Sequence, residues 1–526
     1  MACFVLATAP AESVTAQTIG SFPTPAVPAG NPLTEEKLQL GKALFFEEQL
    51  SSDDTMACAT CHLPEAGGTD VRAGAREAGF DGVLGTLDDE FGSPGMVAQD
   101  AGADYLFHPL AGLDPQATNR HAPTVIGAAF FKNLFWDQRA GQTFRNEAGQ
   151  VVLATNAALE TQAVAPPLSS VEMAHAGRTW AQVTAKLARV RPLDLASDVP
   201  PSLARFIGAA RDYRPLFARA FGTEEITRER VAMAIASYER TLVADRTPFD
   251  LGTLSDEEVL GELLFRQSFC HTCHAGALFS DGFTHFINLP DHFRGAKTPT
   301  LRNIGLQRRL TSSGQFATLE EVVAHYENVG LLFPTPNDDE RRALVAFLRN
   351  GLTDPRVAAR EPPFDRPTLR SELEGAAGVF FGTARPDGSG RAPELLANLP
   401  ATLGSRDFRY GLAHARTNAL ALLVVAPNAA EPGATLAGVP LFVLDTDPAR
   451  QLRLATTSAS EPGLATFRLP IAADRALAGT TLFAQAFVLD DTAPTGVTAT
   501  RAARHEIVSR AGRHWVRTEE EAPPAR

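Results

Sequence analysis

The sequence predicts a mainly α-helical fold built from two similar modules, followed by a C-terminal all-β sandwich domain. Three observations predict it. Two Cys-x-x-Cys-His pentapeptides, Cys58-Ala-Thr-Cys61-His62 and Cys270-His-Thr-Cys273-His274, stand in separate parts of the chain. Each follows a helix-like segment with one shared pattern, Gly41-Lys-Ala-Leu44-Phe45 in the first case and Gly261-Glu-Leu-Leu264-Phe265 in the second. After Leu352 helical periodicity gives way to short apolar runs separated by turn residues.

The pentapeptide carries the chemistry. Two thiols at this spacing form thioethers with the two vinyl groups of a porphyrin, and the next residue presents an imidazole to its iron. Two copies predict two covalently bound haem c groups, attached through Cys58, Cys61, Cys270 and Cys273, with His62 and His274 as iron ligands. The helical part then becomes two cytochrome c-like haem modules. A zinc site would need four ligands gathered from paired motifs, whereas each motif here has its own His. The haems use four of the five cysteines, leaving Cys3 and no disulfide framework.

Along the chain, residues 1–30 read as leader and linker, with Pro and small residues dense from Gly20 to Asn31. The N-terminal haem domain spans 31–240. It opens with Thr34 as a helix cap and Glu35 and Glu36 in the first turn of a helix running toward Phe46. Gly41 and Gly261 are read as letting a helix approach the porphyrin closely. Ala66 to Pro115 is a Gly- and Asp-rich loop; Asp81, Asp88 and Asp89 suit Ca²⁺, but a solvated loop is the preferred reading. Glu225 to Leu242 has the i, i+3, i+4 pattern of a helix through Val231, Ile235 and Tyr238.

The C-terminal haem domain spans 241–355, with an acidic helix start at Asp256 to Glu258 and helices at Leu319 to Tyr326 and Asp338 to Leu348. Residues 356–375 read as a Pro-rich linker. The β-sandwich occupies 376–510, with runs at Ala419 to Ala426, Val439 to Leu444, Ala465 to Ile471 and Thr481 to Leu489. Its turns fall at Pro427-Asn428, Glu461-Pro-Gly463 and Asp490-Asp491. Its only histidines are His414 and His505 and it has no Cys or Met, so no metal chemistry is expected there. Residues 511–526 read as a flexible tail.

At 526 residues the chain is long enough for roughly two to four domains. A mean hydropathy of −0.08 with 44% hydrophobic residues fits a globular protein, and no apolar run reaches the length of a membrane span. A net charge of −13 argues against nucleic acid as a partner. Met1 to Gln17 has an apolar stretch but lacks the positive start of a secretory leader. Cys3 would serve as a lipid anchor only if residues before it were missing, and is read as a plain leader cysteine.

Several further motifs occur in order: Leu40-Gly-Lys-Ala-Leu-Phe-Phe46, His121-Ala-Pro-Thr-Val125, Phe135-Trp136-Asp-Gln-Arg139-Ala, Leu159-Glu-Thr-Gln162-Ala, Glu172-Met173, Ser237-Tyr-Glu-Arg-Thr-Leu242 and Thr298-Pro-Thr-Leu-Arg-Asn303. With the two pentapeptides they resemble the bacterial di-haem cytochrome c peroxidase family, which includes the MauG-type enzymes. The resemblance covers residues 33 to 352, about 60% of the chain. It implies a first haem that reacts with hydrogen peroxide and a second that stores or relays electrons. It places Trp136 between them, and Gln162 and Glu172 on the distal side of the first, with Glu172 as general acid/base.

Departures from the family pattern shape the reading. The position from which classical peroxidases supply a distal His is Leu113 here; His108 and His121 are the nearest alternatives, and an open, five-coordinate first iron is preferred. No methionine follows Met233, which removes the family's Met ligand from the second haem. Aligning Ala317 to Tyr326 with the ligand-bearing helix puts Tyr326 at the ligand position, as in MauG-type members, with His325 and His285 as alternatives. A phenolate favours oxidised iron more than a thioether does. The family's inter-haem Ca²⁺ site has His121 at its Asn position and Gln307 and Arg309 at its carbonyl donors, with Arg309-Leu-Thr-Ser-Ser-Gly314 replacing a turn. A guanidinium there opposes a cation, so Ca²⁺ is not preferred.

The expectation is therefore an exported, periplasmic di-haem peroxidase or oxidase of the MauG-like branch. It draws electrons from a small redox protein or from a protein substrate, and it forms a homodimer by analogy with the family. The rival is a non-catalytic di-haem electron-transfer cytochrome whose sandwich binds a surface. Peroxide turnover separates the two.

Overall fold

The computed structural model describes residues 22–72, 91–108, 111–289, 295–373, 378–397, 400–431, 433–436, 438–443 and 451–508. Cys3, the acids Asp81, Asp88 and Asp89, and the tail lie outside the described residues.

The two pentapeptides occupy equivalent points of two similar arrangements. Thr34 accepts a hydrogen bond from the Lys37 amide and starts the helix Glu35–Phe45. That helix crosses Arg228–Glu239 so closely that a Cβ on Gly41 would lie 1.9 Å from the Ala234 carbonyl oxygen. In the second arrangement Ser255 and Glu258 form a capping box on the helix Asp256–Gln267. Its Gly261 would place a Cβ 2.0 Å from the Ala343 carbonyl oxygen of the helix Asp338–Ala346. Both glycines thus admit a crossing helix, which corrects the expectation that they admit the porphyrin. Aromatic edges seal each crossing, Phe45 on Tyr238 at 5.3 Å and Phe265 on Phe347 at 5.7 Å.

A loop scaffold repeats as well. The Thr124 hydroxyl donates to the Gly67 carbonyl at 2.5 Å and that of Thr300 to the Leu278 carbonyl at 2.6 Å. Each is followed by a 3₁₀ turn, Ala128–Phe130 or Ile304–Leu306. Each turn leads into a tight loop closed by a bridge, Leu134 to Ala140 or Leu310 to Phe316. Phe135 and Thr311 adopt the same left-handed conformation, at φ 66° and 68°. This correspondence sets Trp136 opposite Ser312.

Regular structure in these two parts is helical, with three two-stranded pairings and long irregular connections among the described residues. The first core runs from Leu40 to Ala244 and the second from Phe265 to Leu352. Of the 356–375 segment read from sequence as a linker, the described residues 356–373 pack along the first core: Val357, Phe364 and Leu369 are fully buried within it. The strap is fixed by ion pairs, Asp365 with Lys42 and Arg366 with Glu65 and Glu372, and by the Arg370 and Ser371 amides donating to Glu48. Its apolar residues explain why a Pro-rich stretch does not simply span solvent.

Beyond it lie two antiparallel sheets. In the larger, strand order is Gln451–Thr456, Leu420–Ala426, Thr481–Leu489, Ala502–Glu506 and Val379–Phe381, with Val497–Ala499 also beside Thr481–Leu489. The smaller has Arg409–Ala413 between Ala465–Arg468 and Glu394–Leu396. Tyr410, Leu412, Phe467, Leu423 and Ala486 pack between the sheets. Within the expected run Val439 to Leu444, the described residues form the strand Val439–Pro440 and a bridge from Val443 to Ala429, and Leu444 lies outside the described residues. No helix among the described residues is long and apolar enough to cross a membrane.

Candidate active site

A cavity of about 640 Å³ opens beside the first pentapeptide. Cys58, Cys61 and His62 line it together with Trp136, Gln162 and Glu172, so the sequence-predicted residues of the first module converge on one space. Its walls include Phe45 and Met56 from the helix and loop before the motif, and Pro299 and Thr300 from the second module. Ligand cavities commonly measure roughly 300–1,000 Å³, and two adjacent thiols with one imidazole are the donor set of a c-type haem. The residues fit the group.

His62 is prepared as a ligand. Its Nδ1 lies 3.2 Å from the Gly68 carbonyl oxygen, which fixes the ring and leaves Nε2 free for iron. Burial lowers its pKa, against the raising effect of that backbone contact, and so keeps it neutral. His274 repeats the device: its Nδ1 lies 3.1 Å from the Phe279 carbonyl oxygen, and burial again lowers its pKa.

Glu172 sits just after Val171 in a turn whose amides at 172, 173 and 174 all donate to the Ser169 carbonyl. Burial raises its pKa, opposed by the charge of Arg139 and by Ser169. A carboxyl so placed holds a proton more readily than one in water, which suits proton transfer. Gln162 projects from the short helix Ala158–Ala163 into the same space. Arg139 stacks on Phe135 at 3.5 Å, and Asp137 pairs with both Arg139 and Arg120, at 2.9 and 3.0 Å.

Trp136 marks the seam between the modules. Its indole Nε1 donates to the His121 carbonyl at 2.8 Å, and its own carbonyl accepts from the Lys297 amide at 3.0 Å. It is 8% exposed.

The alternatives for a distal histidine fall elsewhere. His121 lines the cavity, but its Nε2 meets the Asp70 carbonyl at 3.2 Å and its charge interacts with that of His62, the attachment side. His108 lies in the 105–113 loop, accepting from the Ala111 amide through Nδ1, and is not among the residues lining the cavity. Arg309 rests over Phe91 at 4.7 Å with its charge felt at His121, so a guanidinium stands beside the position expected for Ca²⁺.

At the second pentapeptide, Tyr326 packs with Cys270 against the second core. Burial first, then the Cys270 and Cys273 sulfurs, raise its pKa, so the phenol lies close to both attachment residues. His325 points its Nε2 at the Ile287 carbonyl, at 2.9 Å, and His285 pairs with Asp281 at 2.7 Å. Cys273, Asp281 and His285 bring their ligand atoms within 4.8 Å of one another, but thioether formation at Cys273 would leave only the ion pair.

Two residues in the first cavity escaped sequence reasoning. Glu239 is buried with Oε2 lacking a partner, and burial pushes its carboxyl up to about 8. Lys297, over the Phe131 ring at 4.1 Å, is pushed down to about 8 by burial. Glu239 lies inside the Ser237 to Leu242 motif, which was the available signal. Lys297 adjoins the Thr298 motif but is not part of it.

Comparisons with known proteins find relatives of this chain. The profile of the family described as di-haem cytochrome c peroxidase matches residues 35–258. A methylamine utilization protein MauG of Methylorubrum extorquens is 30% identical over 361 residues, covering 62% of this chain and 81% of that protein. The MauG of Methylophilus methylotrophus is 29% identical over 356 residues, covering 61% and 84%. A cytochrome c551 peroxidase of Pseudomonas aeruginosa is 26% identical over 378 residues, covering 66% and 85%.

Proposed function

Since the chain belongs to the di-haem cytochrome c peroxidase family that includes MauG, and is thus an oxidoreductase with two covalent c-type haems, we propose that it reduces hydrogen peroxide at the first haem with electrons relayed from the second. The observation that carries this reading is the single cavity shared by Cys58, Cys61, His62, Gln162, Glu172 and Trp136.

The haem, when bound, supplies an iron centre that accepts a peroxide oxygen and delivers electrons to it. The protein supplies the rest. His62, tethered by the Gly68 carbonyl through Nδ1, would hold the iron through Nε2. Glu172, in the same cavity, would move the proton from one peroxide oxygen to the other, which departs as water, and the remaining oxygen would become a second water by taking two electrons from the donor and two protons. Burial raises the Glu172 pKa and so favours the proton-bearing form more than water would, while the Arg139 charge opposes that shift. Gln162 orients peroxide by hydrogen bonding from the adjoining wall. Trp136 offers a readily oxidised indole between the first cavity and the second module's Lys297.

Cys270, Cys273 and His274 would hold the second haem, with Tyr326 the residue placed to serve as a further iron ligand. The proximity of the Tyr326 phenol to both attachment cysteines supports this, as does the engagement of His325 and His285 elsewhere. Arg309 provides fixed positive charge where a cation would otherwise stand. The electron donor is a protein, and a phenolate-ligated second haem favours side chains of a protein substrate over a small redox carrier. Covalent haem attachment argues for an exported enzyme. A steady-state peroxide assay of Glu172→Gln tests the reading: turnover falls about 10²–10⁴-fold while both haems stay attached. Full turnover would make Glu172 structural, and no turnover even in the wild type would leave an electron carrier.

A further inference from the structure

The C-terminal sheets touch the peroxidase part close to Glu172. Strand Arg409–Ala413 is buried along its whole length, and its Ala413 shares a small apolar cluster with Val97, Tyr105 and Leu113. Arg409 is 2% exposed, so its guanidinium is desolvated at this junction. Its Nη2 donates to Gln99 Oε1 at 2.7 Å, and its plane lies 5.3 Å from the Tyr105 ring.

Gln99 is the node. Its Nε2 donates to Asp53 at 3.0 Å, in the loop that leads to Cys58. A cationic donor on one side and a carboxylate acceptor on the other fix which way the amide points. Its backbone carbonyl accepts from the Ala176 amide at 3.0 Å, at the end of the turn that carries Glu172. The strand Pro94–Val97, just before Gln99, presses on the start of that turn. The Met96 amide donates to the Val171 carbonyl at 2.8 Å, and a Cβ on Gly95 would stand 1.9 Å from the same oxygen and 3.0 Å from the Glu172 Cα. The Glu172 turn is therefore gripped at both ends by one segment, and Arg409 holds that segment from outside.

A buried guanidinium is costly unless paired, and an apolar residue would seal the junction at less cost. A positioning role accounts for it. We propose that the C-terminal sheets brace the active site, with Arg409 acting through Gln99 as a positioning residue that sets the reach of Glu172 into the cavity. This deepens the peroxidase reading and rests on the role assigned there to Glu172.

The test uses the full-length holoprotein. Arg409→Met should lower kcat for peroxide about tenfold to a hundredfold, the scale of a sub-ångström to 1 Å displacement of a catalytic group, with little change in KM. It should also shift the C–O stretching frequency of carbon monoxide bound at the reduced first haem, which reads hydrogen bonding on the distal side, and speed amide exchange at residues 171–176. Gln99→Met should reproduce all three effects from the other end of the link. Arg409→Lys, which keeps one donor, should restore part of them. Arg468→Met is the control. It removes a different contact between the two parts, Arg468 with the Gly102 carbonyl and Asp104, and should leave the stretching frequency unchanged. Unaltered exchange and stretching frequency in a folded Arg409→Met protein would overturn the brace, as would an equal loss in Arg468→Met. Full turnover in Glu172→Gln, with faster exchange in Arg409→Met, would instead sink the acid/base role and leave the brace standing.

Discussion

The two haem modules share a scaffold and differ at a few walls, and the difference separates what holds a haem from what gives it a task. Both use a glycine-centred helix crossing, an imidazole tethered by a backbone carbonyl, and a threonine bonded to the loop after the pentapeptide. These are the holding parts. Where the first module has Trp136 the second has Ser312, and where the first has Glu239 the second has Leu348, by the correspondence of Tyr238 with Phe347 at the crossings. Tyr326, in turn, belongs to the second module alone.

Tyr326→Phe attacks the comparison most directly. It should abolish any phenolate-to-iron charge-transfer band at the second haem while leaving the first haem's spectrum intact, and Tyr326→Met should give an ordinary His/Met spectrum there. Spectra of the wild type showing two histidines on the second iron would transfer the role to His325 or His285.

The acid Glu239 predicts a pH asymmetry. Its carboxyl is held near 8 in the fold and near 4.5 unfolded, so the folded state binds the extra proton between those values. Stability of the first module is then greatest at the acid end of that window and falls as pH rises from about 4.5 to 8, by several kcal/mol at most. Glu239→Gln should flatten that slope in denaturant titrations. An unchanged slope would assign the pH dependence to other groups.

Gly41→Ala and Gly261→Ala test whether the crossings are truly equivalent. Each methyl would meet a helix carbonyl at about van der Waals overlap, costing about 1–3 kcal/mol or more. Thermal unfolding should show similar losses; a loss at one position only would mean that the repeat is unequal in energy. Thr124→Val and Thr300→Val are the gentlest probes, each removing two hydrogen bonds, the one the hydroxyl donates to a carbonyl and the one it accepts from the Ile126 or Arg302 amide, at about 1 kcal/mol apiece. Matching small shifts in melting temperature are expected.

Much of this was legible in the chain. The grouping of Cys58, Cys61 and His62 on one cavity was, because their spacing is short and chemically constrained. Helix starts at Thr34 and before Asp256 were legible from caps and first-turn acids. Leu420–Ala426 and Thr481–Leu489 were legible as long apolar runs. Gln451–Thr456 was not: it is a short edge strand whose Leu452 and Leu454 are exposed, so its apolar residues do not mark a buried face. Nor was Arg409–Ala413, where an Arg, a Tyr and a Gly are buried at a junction that only the fold creates. Gly41 announced a close approach but not its partner, since the partner lies far along the chain. The orientation of His121 was equally hidden, because it depends on the distant Asp70 carbonyl.

The strap over the first core bears on how the chain is made. Lys42 and Asp365 are 323 residues apart in sequence, yet they meet at 2.7 Å, and Phe364 and Leu369 complete the packing around residues translated long before them. Contacts of such separation form late and slowly, because a long loop must close before they repay its entropy. Until the strap docks, the apolar surface around the first pentapeptide stays uncovered. Haem joined to Cys58 and Cys61 in that interval would occupy the gap, so cofactor attachment and chain folding at this end of the protein become a single, ordered event.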